Sequence, residues 1–387
     1  MNKLLILTYA NFPNGEAASV RIYSLSKLFM KLGYTISIIS MSRTKPYIWN
    51  KYDEIEYISI RSEYNDLIHR FGNVLLYKSR AKKIIKKMQG IKAIMPLSLT
   101  LSALFFCESY AKKNSVLLLT DRTEWYSPCE FKFGRLSREY MINAITNRII
   151  IDRYWRVISI SRFFEDYFKG KGIKTVRIPA LMDTSSLPIN TCTPNSIRKI
   201  VYAGSPAKKD SLNLIIQGFL MLDSELSKKI ELHIYGVSKS FYRKFQFNKN
   251  IPNNIYFYGR VSRSEVIDAL LNADFSTLLR DDSKRFTKAG FPSKIAESMS
   301  VGVPVITNFT SDLDLYLKDE ENSLIVSDYS VESFVNTLKR AARKTDEEIN
   351  IMRNAARLTA EKSFDFNIYL STLYELQEGD INGTRKI

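Results

Sequence analysis

AGFPSKIAESMSVGVPVITN, residues 289–308, combines a strongly apolar pattern with two charged residues. Its apolar residues are predicted to lie in a core: Ile295, Ala296, Met299 and the run 301–306. Lys294 and Glu297 interrupt this apolar pattern about one helical turn apart, just after a Gly-Phe-Pro turn. The spacing predicts a helix that starts near Pro292, buries one face and leads into the strand VPVITN.

Glycines and basic residues follow the other predicted strands of this half, at the point where each strand ends. These strands are KIVYAGS (199–205), IELHIYG (230–236), NIYFYGRV (254–261) and ADFSTLLR (273–280). Because the carboxyl ends of parallel strands share one edge of a sheet, the residues that follow them are expected to form one site. Exposed amides at a helix start suit a diphosphate, and a glycine permits close approach of a ligand. The predicted donor-binding residues are Gly204, Ser205, Lys209, Gly236, Arg260, Arg280, Gly290, Phe291, Pro292, Lys294 and Glu297.

Lys294 and Glu297 are expected to grip a nucleotide diphosphate. Lys294 would lie near the phosphates, and the Glu297 carboxylate would accept hydrogen bonds from the two neighbouring hydroxyls of a ribose. The alternative is a capped helix in which the two side chains form a salt bridge of purely structural value. The glycines and bases at the neighbouring strand ends favour the nucleotide site.

The first half of the chain has the same βαβ pattern. KLLILTYA (3–10) and YTISIIS (34–40) flank a helix whose apolar face carries Ile22, Leu25, Phe29 and Leu32. Further strands are predicted at 115–121, 156–161 and 174–183, before a polar segment without periodicity. The sequence therefore predicts an α/β protein with two Rossmann-like doubly wound domains facing across a cleft. The predicted divisions are an N-terminal Rossmann-like domain at 1–183, a linker at 184–198, a second Rossmann-like domain at 199–360 and a helix at 361–387 that packs back towards the N-terminal domain.

Three stretches resemble the nucleotide-binding half of family 4 glycosyltransferases, which are retaining enzymes of the GT-B fold: residues 290–308, YAGSPAKKDSLNLIIQGF (202–219) and IYFYGRVSRSEVIDALLNADFSTLL (255–279). NGEAASVRIYSLSKLFMKLGYTISI (14–38) looks like the family's first βαβ unit, so the resemblance covers essentially the whole chain. It implies transfer of a sugar from a nucleotide sugar in polysaccharide or lipopolysaccharide synthesis, with the acceptor bound by the domain at 1–183 and the nucleotide sugar bound by the domain at 199–360. It also implies that Glu297 binds the ribose, Lys209 binds the diphosphate and Gly15 lies in a loop near the donor phosphate.

The sequence departs from the family pattern in the donor half. Ser205 stands where an arginine usually follows the glycine, and Lys209 is one residue closer to Gly204 than in relatives. Ala289 stands eight positions before Glu297, where relatives carry a glutamate that touches hydroxyls of the transferred sugar. The way in which this protein holds the sugar is therefore expected to differ.

TDRTEWYSPCEFKFGR (120–135) begins at a predicted strand end of the first half. Asp121 and Glu124 are candidate acid–base groups or contacts to sugar hydroxyls, and Trp125 offers a flat face to a sugar ring. With Lys209 these two carboxylates are the predicted catalytic residues. In a retaining enzyme of the resembling family the leaving diphosphate can accept the acceptor's proton, which assigns Glu124 to positioning. The alternative is a polar loop beside core aromatic residues.

The net charge of +17 is concentrated in the first half. Residues 1–190 carry 30 Lys and Arg against 15 Asp and Glu, and the remaining residues carry 27 against 25. YKSRAKKIIKKMQGIK (77–92) predicts a basic amphipathic helix of the kind that lies on anionic membranes, the alternative being a solvated surface helix. We expect a cytoplasmic protein, peripheral on the inner face of the cytoplasmic membrane, with a glycan or lipid-linked acceptor. The predicted acceptor or membrane face consists of Arg21, Trp125, Lys82, Lys83, Lys86 and Lys87.

Several other classes are disfavoured. The three cysteines are far apart, which predicts neither a disulfide framework nor a metal site. No apolar run is as long as a signal peptide core or a transmembrane helix requires. Without a Gly-x-Gly-x-x-Gly after the first strand, a dinucleotide oxidoreductase is not expected.

Two alternatives stay open: a nucleotide-sugar epimerase or phosphorylase of the same fold, and a basic nucleic-acid-binding protein. Nucleic acid is not an expected partner, because the basic helix lacks interleaved aromatic residues. No metal and no cofactor is expected beyond the nucleotide sugar as a co-substrate.

Overall fold

A computed structural model describes residues 2–13, 17–61, 67–204, 209–244 and 251–377. The chain folds into two compact units, Met1–Leu181 with Phe366–Ile387, and Met182–Asp365. Each unit is a sheet of mainly parallel strands with helices on its faces. The predicted α/β class with two doubly wound domains is therefore confirmed.

Within the described residues the first unit has an eight-stranded sheet of order β3-β4-β2-β1-β5-β6-β7-β8, parallel except for β3 against β4. Its strands are β1 (Asn2–Thr8), β2 (Tyr34–Ser40), β3 (Trp49–Tyr52), β4 (Ile55–Ser59), β5 (Ile91–Leu97), β6 (Leu117–Arg122), β7 (Arg156–Ser159) and β8 (Lys174–Arg177). Its helices are α1 (Ala17–Lys31), α2 (Leu67–Ile85), α3 (Leu101–Asn114), α4 (Arg138–Ile145) and α5 (Arg162–Gly170).

The direction of the crossovers decides which face of this sheet each helix covers. The chain moves one way along the sheet from β1 to β2, and the other way from β5 through β6 and β7 to β8. Because βαβ crossovers are right-handed, α1 lies on one face and α3, α4 and α5 lie on the opposite face.

The core on the α1 side is apolar from strand to helix. Ile22, Leu25 and Phe29 of α1 pack with Leu119 of β6 and Ile158 of β7, as the helical periodicity predicts. β1 is buried on both faces along LLIL (4–7), which explains its continuous apolar run.

The second unit has a six-stranded parallel sheet of order β11-β10-β9-β12-β13-β14 among the described residues. Its strands are β9 (Arg198–Ala203), β10 (Ile230–Tyr235), β11 (Ile255–Gly259), β12 (Phe275–Leu278), β13 (Val305–Thr307) and β14 (Ser323–Ile325). Its helices are α6 (Leu212–Leu220), α7 (Ser224–Ser227), α8 (Lys239–Lys244), α9 (Arg263–Leu271), α10 (Arg285–Ala289), α11 (Ser293–Ser300), α12 (Val331–Arg343) and α13 (Asp346–Ser363). The strand order reverses at β9 and β12, which is where doubly wound sheets bind ligands.

Residues 289–308 form the buried helix and strand that their apolar spacing predicts. Ile295, Ala296 and Met299 of α11 are buried, and so is the whole run 301–306. The strand is shorter than the quoted segment, since only Val305–Thr307 pairs with β12 and β14.

The predicted linker and the C-terminal segment each belong to one of the two units. The segment 184–198, predicted as a linker, lies in the second unit, where the buried Asn190 side chain donates to the carbonyl of Ala273 at 2.9 Å. After residue 365 the chain re-enters the first unit and forms the last described helix, α14 (Leu370–Gln377). Phe366, Leu373 and Leu376 complete the core on the α1 side.

Candidate functional site

The carboxyl edge of the second sheet collects the predicted donor residues. The backbone of Gly204 donates to Tyr235 O at 3.0 Å, and that of Gly236 donates to Gly259 O at 2.6 Å. Arg280 follows β12, the strand beside β9. These strand-end residues therefore share one edge, whereas Ser205 lies outside the described residues.

A buried carboxylate that the sequence interpretation did not include organises this edge. Asp210 lies in the loop before α6, and its side chain is only 3% exposed. It accepts a hydrogen bond from Arg280 Nε at 3.0 Å and forms an ion pair with Lys294 Nζ. Two predicted phosphate-binding cations are thus held on a single carboxylate, and Lys209 lies half-buried beside it.

The glycine at the end of β9 is needed because Lys294 passes so close to it. A Cβ atom at Gly204 would clash with the Cε and Nζ atoms of Lys294. The ammonium also lies 5.2 Å from the centre of the Tyr202 ring, on which a cation is attracted by the ring face. The Lys294 side chain is 30% exposed, in contrast to Asp210, which is 3% exposed.

The protonation of the Asp210 cluster is set by burial and by its mutual ion pairs. Burial alone would raise the pKa of Asp210, but Arg280 and Lys294 overcome it and lower the pKa below its ordinary value. Burial lowers the pKa of Lys294, while the Asp210 carboxylate opposes that fall. The cluster therefore holds two cations and one anion, which leaves a net positive charge for an anionic ligand.

Glu297 pairs with an arginine of another helix and not with Lys294, which lies one helical turn before it. Its Oε1 atom lies 2.9 Å from Nε of Arg263, the first residue of α9. Lys294 and Glu297 are thus each paired with a different residue, so the alternative of a salt bridge between them is wrong. Both side chains line one small cavity with Ser298 and apolar residues of β9 and β12.

The Gly-Phe-Pro turn leads directly into α11 and places its phenylalanine in the core. α11 begins directly after Pro292, as predicted, and its first turn has no side-chain cap. The Phe291 ring is buried between Tyr316 and Phe364, with ring centres 5.7 and 5.6 Å away. The predicted contact of Phe291 with the donor is therefore corrected: its side chain packs in the core. Ala289 is fully buried, and Arg260 is exposed.

The carboxyl edge of the first sheet shows a buried ion pair. Arg21 of α1 donates to both carboxylate oxygens of Asp121, at 2.6 and 2.7 Å, and to the carbonyls of Ile178 and Pro179. Asp121, predicted as catalytic, has a side chain that is 6% exposed. Because both its oxygens are engaged, the pair positions α1 against β6 and does not present an acid or base.

Trp125 is also buried and therefore does not belong to an exposed acceptor or membrane face. Its ring packs against Phe163, Phe164 and Tyr167, which lie on α5. The same correction applies to Arg21, which is 8% exposed. Glu124 is half-buried beside Tyr126, and Gly15 lies outside the described residues.

The basic helix has its apolar side in the protein core. Tyr77, Ala81 and Ile85 of α2 are buried, whereas four lysines are exposed: Lys82, Lys83, Lys86 and Lys87. Leu75 and Leu76, 77% and 48% exposed, accompany these lysines on the outer side.

Comparisons with known proteins agree with this architecture. Residues 193–359 match the family model described as Glycosyl transferases group 1. Sucrose-phosphate synthase from Thermosynechococcus elongatus superposes with a TM-score of 0.77 at 12% identity, over 97% of this chain and 98% of that chain. The chain has the GT-B fold.

Other GT-B structures match over a similar extent. WaaG, a glycosyltransferase involved in lipopolysaccharide biosynthesis, has a TM-score of 0.70 at 13% identity, over 97% of this chain and all of that one (100%). Anabaena HepE in complex with UDP and glucose has a TM-score of 0.70 at 12% identity, over 97% and 99%. No curated protein matches the sequence.

Within the group 1 domain of this GT-B protein, the sequence interpretation missed Asp210 and Arg263. Asp210 directly follows the two lysines of the strand-end loop, so an acidic residue next to predicted phosphate ligands was the available signal. Arg263 lies between Ser262 and Glu265, the two residues of a capping box, so in the sequence it looks like an ordinary residue of a helix's first turn.

Proposed function

We propose that the protein is a retaining glycosyltransferase that moves a sugar from a nucleotide sugar to a growing glycan. The observation that carries this proposal is the Arg280–Asp210–Lys294 cluster beside Glu297, at the carboxyl edge of the sheet in the group 1 domain. The HepE complexes with UDP and with UDP-glucose support a nucleoside diphosphate sugar as the donor.

The cluster suits the tail of such a donor. Arg280 and Lys294 would bind the diphosphate and stabilise the negative charge that develops on it as the sugar leaves. When the donor binds, the Glu297 carboxylate would release Arg263 and accept hydrogen bonds from the ribose hydroxyls. These cations would neutralise the leaving group, so the proposal requires no cofactor beyond the donor.

Thermal unfolding with nucleotides tests the donor site. We expect one nucleoside diphosphate among UDP, GDP and ADP to raise Tm, since a ligand at 100 times its Kd adds about 2.7 kcal/mol to the free energy of unfolding. Glu297→Gln should reduce the rise, and Glu225→Gln, whose side chain is 79% exposed, is the matched control. Unchanged melting with all three nucleotides would contradict the proposal.

We also propose that the acceptor is lipid-linked and that the first unit docks on an anionic membrane. No described helix is long and apolar enough to cross a bilayer. The outer side of α2 combines Leu75 and Leu76 with exposed lysines, and the neighbouring α3 adds Phe105, which is 54% exposed. Each basic residue near an anionic surface contributes about 1 kcal/mol. This combination supports peripheral binding to the inner face of the cytoplasmic membrane.

Liposome flotation tests the membrane proposal. Lys82→Glu with Lys83→Glu reverses four units of charge on α2 and should lower the affinity for vesicles with anionic lipid by at least tenfold. Lys228→Glu with Lys318→Glu is the matched control, because these side chains are 72% and 70% exposed in the second unit. Equal flotation of both double variants, or flotation independent of anionic lipid, would refute it.

A further inference from the structure

Arg122, at the end of β6, is a buried arginine whose side chain has no hydrogen-bonding partner among the described residues. It is 8% exposed, and within the part of the chain that the structure describes its guanidinium donates no hydrogen bond; its Nε is fully enclosed. Arg21 and Arg353 are equally buried, but each has a carboxylate partner: Asp121 for Arg21, and Asp274 for Arg353 at 3.0 Å. Since a buried charge without a hydrogen-bonded partner is costly, Arg122 differs from these two arginines in a way that a bound anion would explain.

The position of Arg122 is that of a ligand-binding residue. It pairs in register with Ser159 of β7, and its carbonyl accepts from Ile160 N at 3.1 Å. Alternate side chains of a strand point to opposite faces, and Asp121 points to α1. Arg122 therefore points to the face that carries α5.

Helix α5 brings a second source of positive potential to the same edge. It begins at Arg162, immediately after the strand end that pairs with Arg122, and Ser161 gives it no side-chain cap. The positive end of a helix favours an anion. A guanidinium and a helix start thus lie together at the carboxyl edge of the first sheet.

The charged neighbours of Arg122 do not replace a ligand. Burial lowers the pKa of Arg122 to about 10, and Asp121, Tyr126 and Glu124 oppose that fall through space. Of these, Asp121 has both its oxygens on Arg21. Arg122 remains cationic at neutral pH and is able to bind an oxyanion through two parallel N–H groups.

We propose that Arg122, next to the start of α5, binds a phosphate oxyanion of the acceptor. This assignment to the acceptor rests on the proposed function, in which the donor diphosphate has its own cations in the second unit, Arg280 and Lys294. A phosphate of the donor has the same chemistry, and the experiment separates the two sources.

The test combines thermal unfolding with two probes, UDP and inorganic pyrophosphate added to the UDP-saturated protein. Arg122→Met should raise Tm of the free protein by about 2–4 °C, because it removes an unpaired buried charge. Arg21→Met should lower Tm, because it leaves Asp121 buried and unpaired. Arg122→Met should also weaken pyrophosphate binding at least tenfold and leave UDP binding unchanged, whereas Arg122→Lys should retain part of the pyrophosphate binding.

Each other outcome has a definite meaning. If Arg122→Met weakens UDP binding and spares pyrophosphate binding, the phosphate belongs to the donor and the acceptor assignment is overturned. If Arg122→Met melts lower than the wild type or fails to fold, or if it binds both probes normally, Arg122 has a structural role and the inference is overturned. If the wild type binds pyrophosphate but no nucleotide, the proposed function fails, and the loss or retention of pyrophosphate binding in Arg122→Met still decides whether Arg122 binds an oxyanion.

Discussion

Replacing Lys294 by methionine is expected to lower kcat/KM for the nucleotide sugar by about 10²- to 10³-fold, as loss of one group that stabilises developing charge does. The ammonium shares Asp210 with Arg280 and is held over the Tyr202 ring, so it is fixed before the donor arrives. Methionine keeps the apolar stem of the side chain but cannot bind phosphate. Steady-state kinetics with a purified acceptor measures the loss.

A control for Lys294→Met should alter the same kind of residue away from the site. Lys228→Met serves, since this lysine is 72% exposed and forms a surface ion pair with Glu225, with Nζ and Oε1 3.3 Å apart. It should retain wild-type kcat/KM. A loss of less than twofold in Lys294→Met would remove this lysine from the donor site.

Replacing Asp210 by asparagine is expected to make nucleotide binding depend on pH. The charged or titratable groups facing Lys294 are Asp210, Arg280, Glu297 and the Tyr202 hydroxyl. Burial already lowers the pKa of Lys294, and Asp210 opposes that fall, so the variant should have a lysine of still lower pKa. As the pH rises through that pKa the ammonium loses its charge and the phosphate loses its ligand.

Binding of UDP at several pH values measures this effect. We expect the Kd of Asp210→Asn for UDP to rise between about pH 7 and pH 9 more steeply than the Kd of the wild type, because Lys294 of the variant loses its charge at a lower pH. Asp268→Asn is the control, because Asp268 is exposed on α9. Parallel pH profiles of wild type and Asp210→Asn would show that Asp210 does not act through Lys294.

The same substitution has a second consequence for stability. Folding lowers the pKa of Asp210, so the carboxylate stabilises the native state above its unfolded pKa. The wild type should lose this stability as the pH falls through the folded pKa. Asp210→Asn should lack that part of the acid dependence.

The fold could be predicted from the sequence because the apolar spacing that identifies each helix or strand lies within a short segment of the chain. The apolar spacing in residues 289–308 gave a buried helix and strand, and the face of α1 followed from its helical period. For the candidate site, the strand ends predicted which residues share one edge of the sheet, since parallel topology alone brings those residues together.

The partners within the site were not predictable, because they are far apart in the chain. Lys294 pairs with Asp210 and Glu297 with Arg263, 84 and 34 residues away. Arg21 and Asp121 are 100 residues apart, and only the fold shows that they saturate each other. The aromatic environment of Trp125 likewise depends on how α5 packs, which a single sequence window does not contain.

The return of the chain to the first unit constrains the order in which the two units can complete their folding during translation. A ribosome completes residues 182–365 as one continuous stretch, and the backbone of Met182 already bonds to Phe364 O at 2.8 Å within that stretch. The first unit, although it begins at residue 1, lacks Phe366, Leu373 and Leu376 until translation has passed them. The part synthesised first is therefore the part whose interior closes last, and until then its unfilled apolar groove is open to chaperones.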